Sequence, residues 1–132
     1  MKITKNTNYG LIFLKELASN FFQKKPIATS EVAKHYQIPE AYLRKIASQL
    51  RKKKIIKAKE GREGGYLLSQ PPDTISLYDV LDILESELLV SPCQFCHLRQ
   101  GECGFDNFWQ EINVDLEQYF KNIKLSDLWK FI

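Results

Sequence analysis

The apolar positions of this 132-residue chain fall into blocks whose spacing alternates between helical and strand-like. Leu14, Leu17, Ala18, Phe21 and Phe22 recur at helical spacing and predict a first helix. Thr7 or Asn6 is its expected cap, and Lys24-Lys25-Pro26 its end. A short second helix is predicted over residues 30–36, capped by Thr29 or Ser30 and broken by Gln37-Ile38-Pro39. Pro39 suits the first turn of a third helix over 39–53. Leu43, Ile46, Ala47 and Leu50 make its buried stripe, with Arg44, Lys45, Ser48, Arg51 and Lys52 on its other faces. Two β-prone runs, 55–59 and 66–68, flank a loop bearing Gly61, Gly64 and Gly65, and read as a hairpin. After the punctuation of Pro71-Pro72-Asp73, "TISLYDVLDILES" gives a strand-like entry and a helix with Leu77, Val80, Leu81 and Leu84 on one side. A long helix begins near Phe105, marked by Phe108, Trp109, Ile112, Leu116, Tyr119, Phe120 and Ile123. It should span roughly 28 Å, with a small last helix over 126–130 packing behind it.

Two helices joined by a tight turn, the second basic on its outer side, meet the requirements of a helix-turn-helix that enters the DNA major groove. A basic hairpin directly after them makes a winged helix. The expected fold class is therefore mainly α with a small β-hairpin wing. Residues 1–76 form the winged helix-turn-helix, 77–104 a helix and a cysteine-bearing loop, and 105–132 the long C-terminal helix and its follower. The aromatic face of the long helix, Phe108, Trp109, Ile112, Leu116, Tyr119 and Phe120, is longer than the remaining elements can cover. Burial against a twin helix accounts for it, and a two-fold dimer matches a palindromic operator.

Charge sharpens this picture. The net charge is only +3, but nine basic residues lie between Arg44 and Arg62, opposed by Glu60 alone. From Asp79 to Glu117 nine acids stand against Arg99. A polyanion is drawn to the first region and repelled by the second. The expected DNA contacts are Ser30, Tyr42, Arg44, Lys45, Arg51, Lys59 and Arg62, the last two at the wing. Lys52-Lys53-Lys54 ranks behind Arg44, Lys45 and Arg62, because cations at a helix end are favoured by the dipole whatever they bind. No apolar run approaches the roughly 20 residues of a membrane span. The opening "MKITKNTNYG" lacks the apolar stretch of a signal peptide, so a cytoplasmic protein that meets no membrane is expected. With no phosphate loop, nucleophile elbow or paired histidines, an enzyme is not expected.

All three cysteines stand in "SPCQFCHLRQGEC", beside one of the only two histidines. In a reducing compartment, clustered thiols bind metal or do redox chemistry. A thioredoxin-like role for Cys93 and Cys96 fails for want of a surrounding βαβ pattern. Three readings stand side by side. The first is an iron–sulfur cluster of the 2Fe–2S or 4Fe–4S type on Cys93, Cys96 and Cys103. The second is a structural zinc completed by His97, and the third is three packed thiols with no metal.

Along its whole length the chain resembles the Rrf2 family of winged-helix regulators, which includes the IscR, NsrR and RirA branches. The likeness rests on "MKITKNTNYGL", "YLRKIASQLRKKKII", "GREGGYLL", "ISLYDVLDILE", the cysteine loop and "IKLSDL". The resemblance implies a homodimeric transcription regulator whose C-terminal helices cross. It also implies a cluster in the loop before that helix, sensing iron supply, redox state or nitric oxide. A regulator with a zinc or empty loop, answering another signal, is the alternative. The chain departs from the family pattern at several positions. The thiols are spaced C-x2-C-x6-C, whereas the better-known cluster-binding members space the first two more widely. Asp106 stands where the IscR branch has a histidine ligand, and Asn8 where the NsrR branch has a carboxylate from the partner subunit. The fourth ligand is open between Asp106, His97, a partner residue and an exogenous ligand. Pro39-Glu40-Ala41 replaces small hydroxyl side chains at the start of the reading helix, and Glu60 replaces a wing arginine. A different operator is implied.

Overall fold

Thr4 takes the extended backbone of a cap, and the first helix, α1 (Lys5–Ser19), starts directly after it. The computed structural model describes residues 2–88 and 104–130. Helix α1 thus begins earlier than Thr7 or Asn6 would allow. Thr7 lies inside it, fully buried, and its hydroxyl donates to Glu85 at the far end of the fourth helix. The Thr4 backbone N–H and hydroxyl reach the same carboxylate oxygen at 2.8 and 2.9 Å. The helix also ends sooner than expected. Phe21 and Phe22 fall in the turn beyond it, Phe21 packed on the core and Phe22 exposed.

Helix α2 (Thr29–Tyr36) takes Thr29 into its first turn, with Ala28 in the cap position rather than Thr29 or Ser30. Gln37 closes it in the left-handed region at φ 56°, and Ile38 buries its side chain in the turn. Pro39 then leads into α3 (Glu40–Lys52), whose buried residues are Leu43, Ile46, Ala47 and Leu50. This is the stripe the 3.6-residue period predicts.

The wing is the antiparallel pair β1 (Ile56–Lys59) and β2 (Gly65–Leu68), with Ile56 opposite Leu68 and Lys59 opposite Gly65. Ile27, just ahead of α2, adds a third short rung. Its N–H donates to Tyr66 O at 3.0 Å, and the Tyr66 N–H donates back at 2.8 Å. A Cβ on Gly65 would come within 2.6 Å of the Ile27 backbone, so only glycine permits this approach.

A single 3₁₀ turn, Pro72–Thr74, leads to α4 (Leu77–Leu84). Its start is fixed by a capping box: Asp79 N–H donates to Ser76 Oγ, and Ser76 N–H to the Asp79 carboxylate. The strand-like entry before α4 pairs with the end of the chain. Leu77 N–H donates to Ile123 O at 2.7 Å, and Leu125 N–H to Ile75 O at 2.9 Å. Between these segments runs the long helix α5 (Phe105–Asn122), about 27 Å over its 18 residues. The final 3₁₀ helix, Leu125–Lys130, does not pack behind α5. It lies against α1 and the Pro72–Thr74 turn, with Leu125 in the core. The backbone pairing at Ile75 and Ser76 pulls it there. The core itself joins Phe13, Leu14 and Leu17 of α1, the α3 stripe, Ile56 and Leu68 of the wing, and Ile75 and Val80.

Candidate nucleic-acid interface

The buried stripe of α3 leaves Ala41, Tyr42, Arg44, Lys45, Ser48, Arg51 and Lys52 exposed on the rest of its surface. Burial of one face therefore fixes which side chains the helix offers. Tyr42 is 49% exposed, and its ring lies 5.9 Å from that of Tyr9 on α1. Arg44 pairs with Glu40 one turn earlier, Nη2 to Oε1 at 3.1 Å. The same Glu40 oxygen accepts from the Thr29 hydroxyl of α2 at 3.4 Å.

Ser30, Lys59 and Arg62 meet elsewhere. They line one open cleft of about 530 Å³ between the wing and the start of α2, with Lys25, Glu31 and Glu63 also on its walls. The first-turn N–H groups of α2 carry partial positive charge, and Lys25, Lys59 and Arg62 outnumber the carboxylates of Glu31 and Glu63, a balance that favours an anion. Lys25 was missed by sequence reasoning, which treated it only as the end of the first helix. Its placement depends on the left-handed turn at Lys24, φ 54°, and no local pattern signals that. The chain thus brings four of the expected contacts onto α3 and three into the wing cleft. Of the trailing run, Lys53 is the C-cap of α3 and Lys54 turns left-handed at φ 61° to enter the wing.

Ionisation departs from ordinary values at a few groups. Burial alone would raise the Glu85 carboxyl. The hydrogen bonds from the Thr4 backbone and from the Thr7 and Thr4 hydroxyls outweigh it, and hold the group below the usual carboxylate range. The Tyr36 phenol donates to Glu16, and this bond, then burial, pushes its pKa up. On α4, burial first and the nearby Glu117 and Asp82 next raise Tyr78, while Lys121 lies over its ring at 5.0 Å.

Helix α5 has no fully buried residue among those described. Trp109, Ile112, Leu116 and Phe120 are half-buried, whereas Phe108 and Tyr119 are 49% and 64% exposed. The expected six-residue face is thus split, its covered part turned towards α4. Cys93, Cys96, Cys103 and His97 lie outside the described residues. Asp106 is described, half-buried in the first turn of α5, three residues after Cys103. Among the described residues no helix is long and apolar enough to cross a membrane.

Residues 3–130 match a family model described as Rrf2, iron-dependent transcriptional regulator. The regulator CymR of Bacillus subtilis is 30% identical over 97% of this chain and 89% of its own length. IscR of Sodalis glossinidius is 26% identical over 97% of this chain and 78% of its own. The solved structure of the B. subtilis CymR, described as the global cysteine regulator, superposes with a TM-score of 0.82 at 26% identity. That superposition covers 100% of this chain and 98% of the other. A mostly helical chain with a two-stranded wing, an exposed basic helix and relatives that are regulators rather than enzymes belongs to the Rrf2 family of winged helix-turn-helix, DNA-binding transcription regulators.

Proposed function

We propose that this protein is a homodimeric regulator whose DNA affinity is set by an iron–sulfur cluster held in the cysteine loop. The observation that carries the DNA half is the exposed basic face of α3 beside the cationic wing cleft. Tyr42, Arg44, Lys45 and Arg51 enter the major groove of a palindromic operator, and Ser30, Lys59 and Arg62 hold the flanking backbone. The division into a head over 1–76, a sensing loop within 77–104 and a dimer helix over 105–132 follows from these roles. The twin α5 helices meet through Phe108, Trp109, Ile112, Leu116, Tyr119 and Phe120.

The donor set fits a cluster. Three thiolates within eleven residues are the soft ligands iron–sulfur centres take, and Cys103 precedes α5 by one residue beyond its Gly104 cap. Cys93, Cys96 and Cys103 would hold it, with Asp106 or His97 as fourth ligand. Bound, the cluster supplies a centre that responds to iron supply, redox state or nitric oxide. The protein's part is to stabilise two arrangements of the reading heads unequally, since only differential stability alters DNA affinity. The likeness to CymR, described by cysteine rather than iron, favours a second reading in which the loop holds zinc or no metal.

Two measurements test this. Operator binding across a salt series should fall steeply and linearly on logarithmic axes, and a flat response would sink the DNA half. Protein purified without oxygen should carry matched iron and sulfide and a visible absorbance that Cys93→Ala bleaches. A colourless protein with zinc, or with nothing after reconstitution, leaves the second reading.

A further inference from the structure

The reading helix opens on an acid. Glu40 is the first residue of α3, and the N-terminal residues of such a helix are the ones that meet base edges. An unaccompanied carboxylate there would oppose the phosphates. Glu40 is accompanied: its Oε1 lies 3.1 Å from Arg44 Nη2 and accepts from Thr29 Oγ1 at 3.4 Å. Thr29 is itself buried in the first turn of α2. The carboxylate therefore holds the arginine from one side, with a longer contact back to α2. The Arg44 side chain remains 69% exposed.

A guanidinium carries five N–H donors in a rigid planar fork, and reading guanine through O6 and N7 uses two of them. A carboxylate engaged at one nitrogen leaves donors for a base. It also fixes a long side chain before DNA arrives, which removes part of the ordering entropy of binding. An exposed pair of this spacing contributes little to stability, so its effect should appear in recognition rather than in folding.

We propose that Glu40 is a positioning residue: it presents Arg44 to a guanine in the major groove, and through Arg44 it sets this protein's base preference. The inference rests on the DNA-reading function proposed above.

The test is selection from a random duplex library with the full-length wild type, Glu40→Gln, Glu40→Ala, Arg44→Ala and the Glu40→Gln/Arg44→Ala double variant. Competition on single-base variants of the selected site follows. Preference for guanine at one position of each half-site should fall about tenfold in both Glu40 variants. Affinity for non-specific duplex should hold or rise, because an acid has been removed. In the Arg44→Ala background Glu40→Gln should change nothing further. Three results overturn the proposal: an unchanged guanine preference, a loss that persists without Arg44, or the disappearance of a cytosine preference instead. The last would mean that Glu40 reads cytosine N4 itself. A uniform loss on all sequences with a lowered Tm would make the contact merely structural, and also overturns it. A wild type that enriches no site removes the DNA-reading function together with this inference, whereas enrichment indifferent to Glu40 removes the inference alone.

Discussion

Glu85 is the C-cap of α4, yet its carboxylate serves the start of α1, some eighty positions earlier in the chain. Three donors from Thr4 and Thr7 converge on one of its oxygens. Removing the charge while keeping the shape, by Glu85→Gln, should lower stability by about 1 kcal/mol, hydrogen bonds to charged groups being the stronger kind. The sign with pH follows from the depressed folded-state pKa. The stabilisation is fully present above the unfolded carboxyl's pKa and is lost as pH falls through the folded value. The Tm gap between wild type and Glu85→Gln should be open at neutral pH and should close in acid, as pH falls below the unfolded carboxyl's range and through the depressed folded value. A gap independent of pH would mean that packing, not charge, holds the contact. This residue also marks a limit of sequence reading. A local pattern offered Thr7 or Asn6 as the helix cap, because capping is normally judged within four residues. The true partner lies 78 to 81 positions away, where no spacing rule reaches.

Elements with a strong period were legible, and those made by distant pairing were not. The α3 stripe of Leu43, Ile46, Ala47 and Leu50 emerged as predicted, because half-burial of a helix imposes its own repeat. That repeat also leaves Arg44, Lys45 and Arg51 exposed on the opposite side of the helix. The hairpin was legible from its glycines, but its third rung at Ile27 was not, nor was the pairing of Ile75 and Ser76 with residues 123–125. The Ile27 rung makes the wing testable as an element. Gly65→Ala would set a methyl within 2.6 Å of Ile27 carbonyl atoms and 2.9 Å of Ala28 N, which are backbone and cannot swing aside. The Ile27–Tyr66 bonds must lengthen, at about 1–3 kcal/mol for overpacking of this kind. The wing cleft lined by Lys25, Ser30, Lys59 and Arg62 should open with it. DNA affinity should therefore fall together with Tm in Gly65→Ala. Gly104→Ala, where a Cβ meets nothing within 4 Å among the described residues, is the control for stability. Unchanged DNA affinity in Gly65→Ala would separate the wing from binding.

At the scale of the whole molecule, the open question is what the outer side of α5 rests on. The helix packs on α4 within its own chain, and Phe105, Phe108 and Tyr119 are left between 49% and 64% exposed. Aromatic surface of this extent on a helix of about 27 Å is far more than a solvated helix carries by chance. A second copy is the partner that the same surface would fit, since a two-fold axis brings each patch against itself. The reading heads would then be joined, and the second head would bind its half-site at a high effective concentration. Joining of this kind is worth a factor of roughly 10² to 10⁴ in affinity. Phe108→Glu with Tyr119→Glu places two charges on the exposed part of α5 without touching the core of the head. By sedimentation the wild type should be a dimer and the variant a monomer. On a palindrome, with half-sites about one helical turn apart, the variant should lose affinity about a hundredfold or more. On an isolated half-site it should bind as the wild type does, because Tyr42, Arg44, Lys45 and Arg51 sit on α3, an element that α5 does not build. Equal losses on both duplexes would mean that α5 supports the head rather than the assembly. A wild type that sediments as a monomer would remove the twin helix altogether, and with it the reason to expect a palindrome.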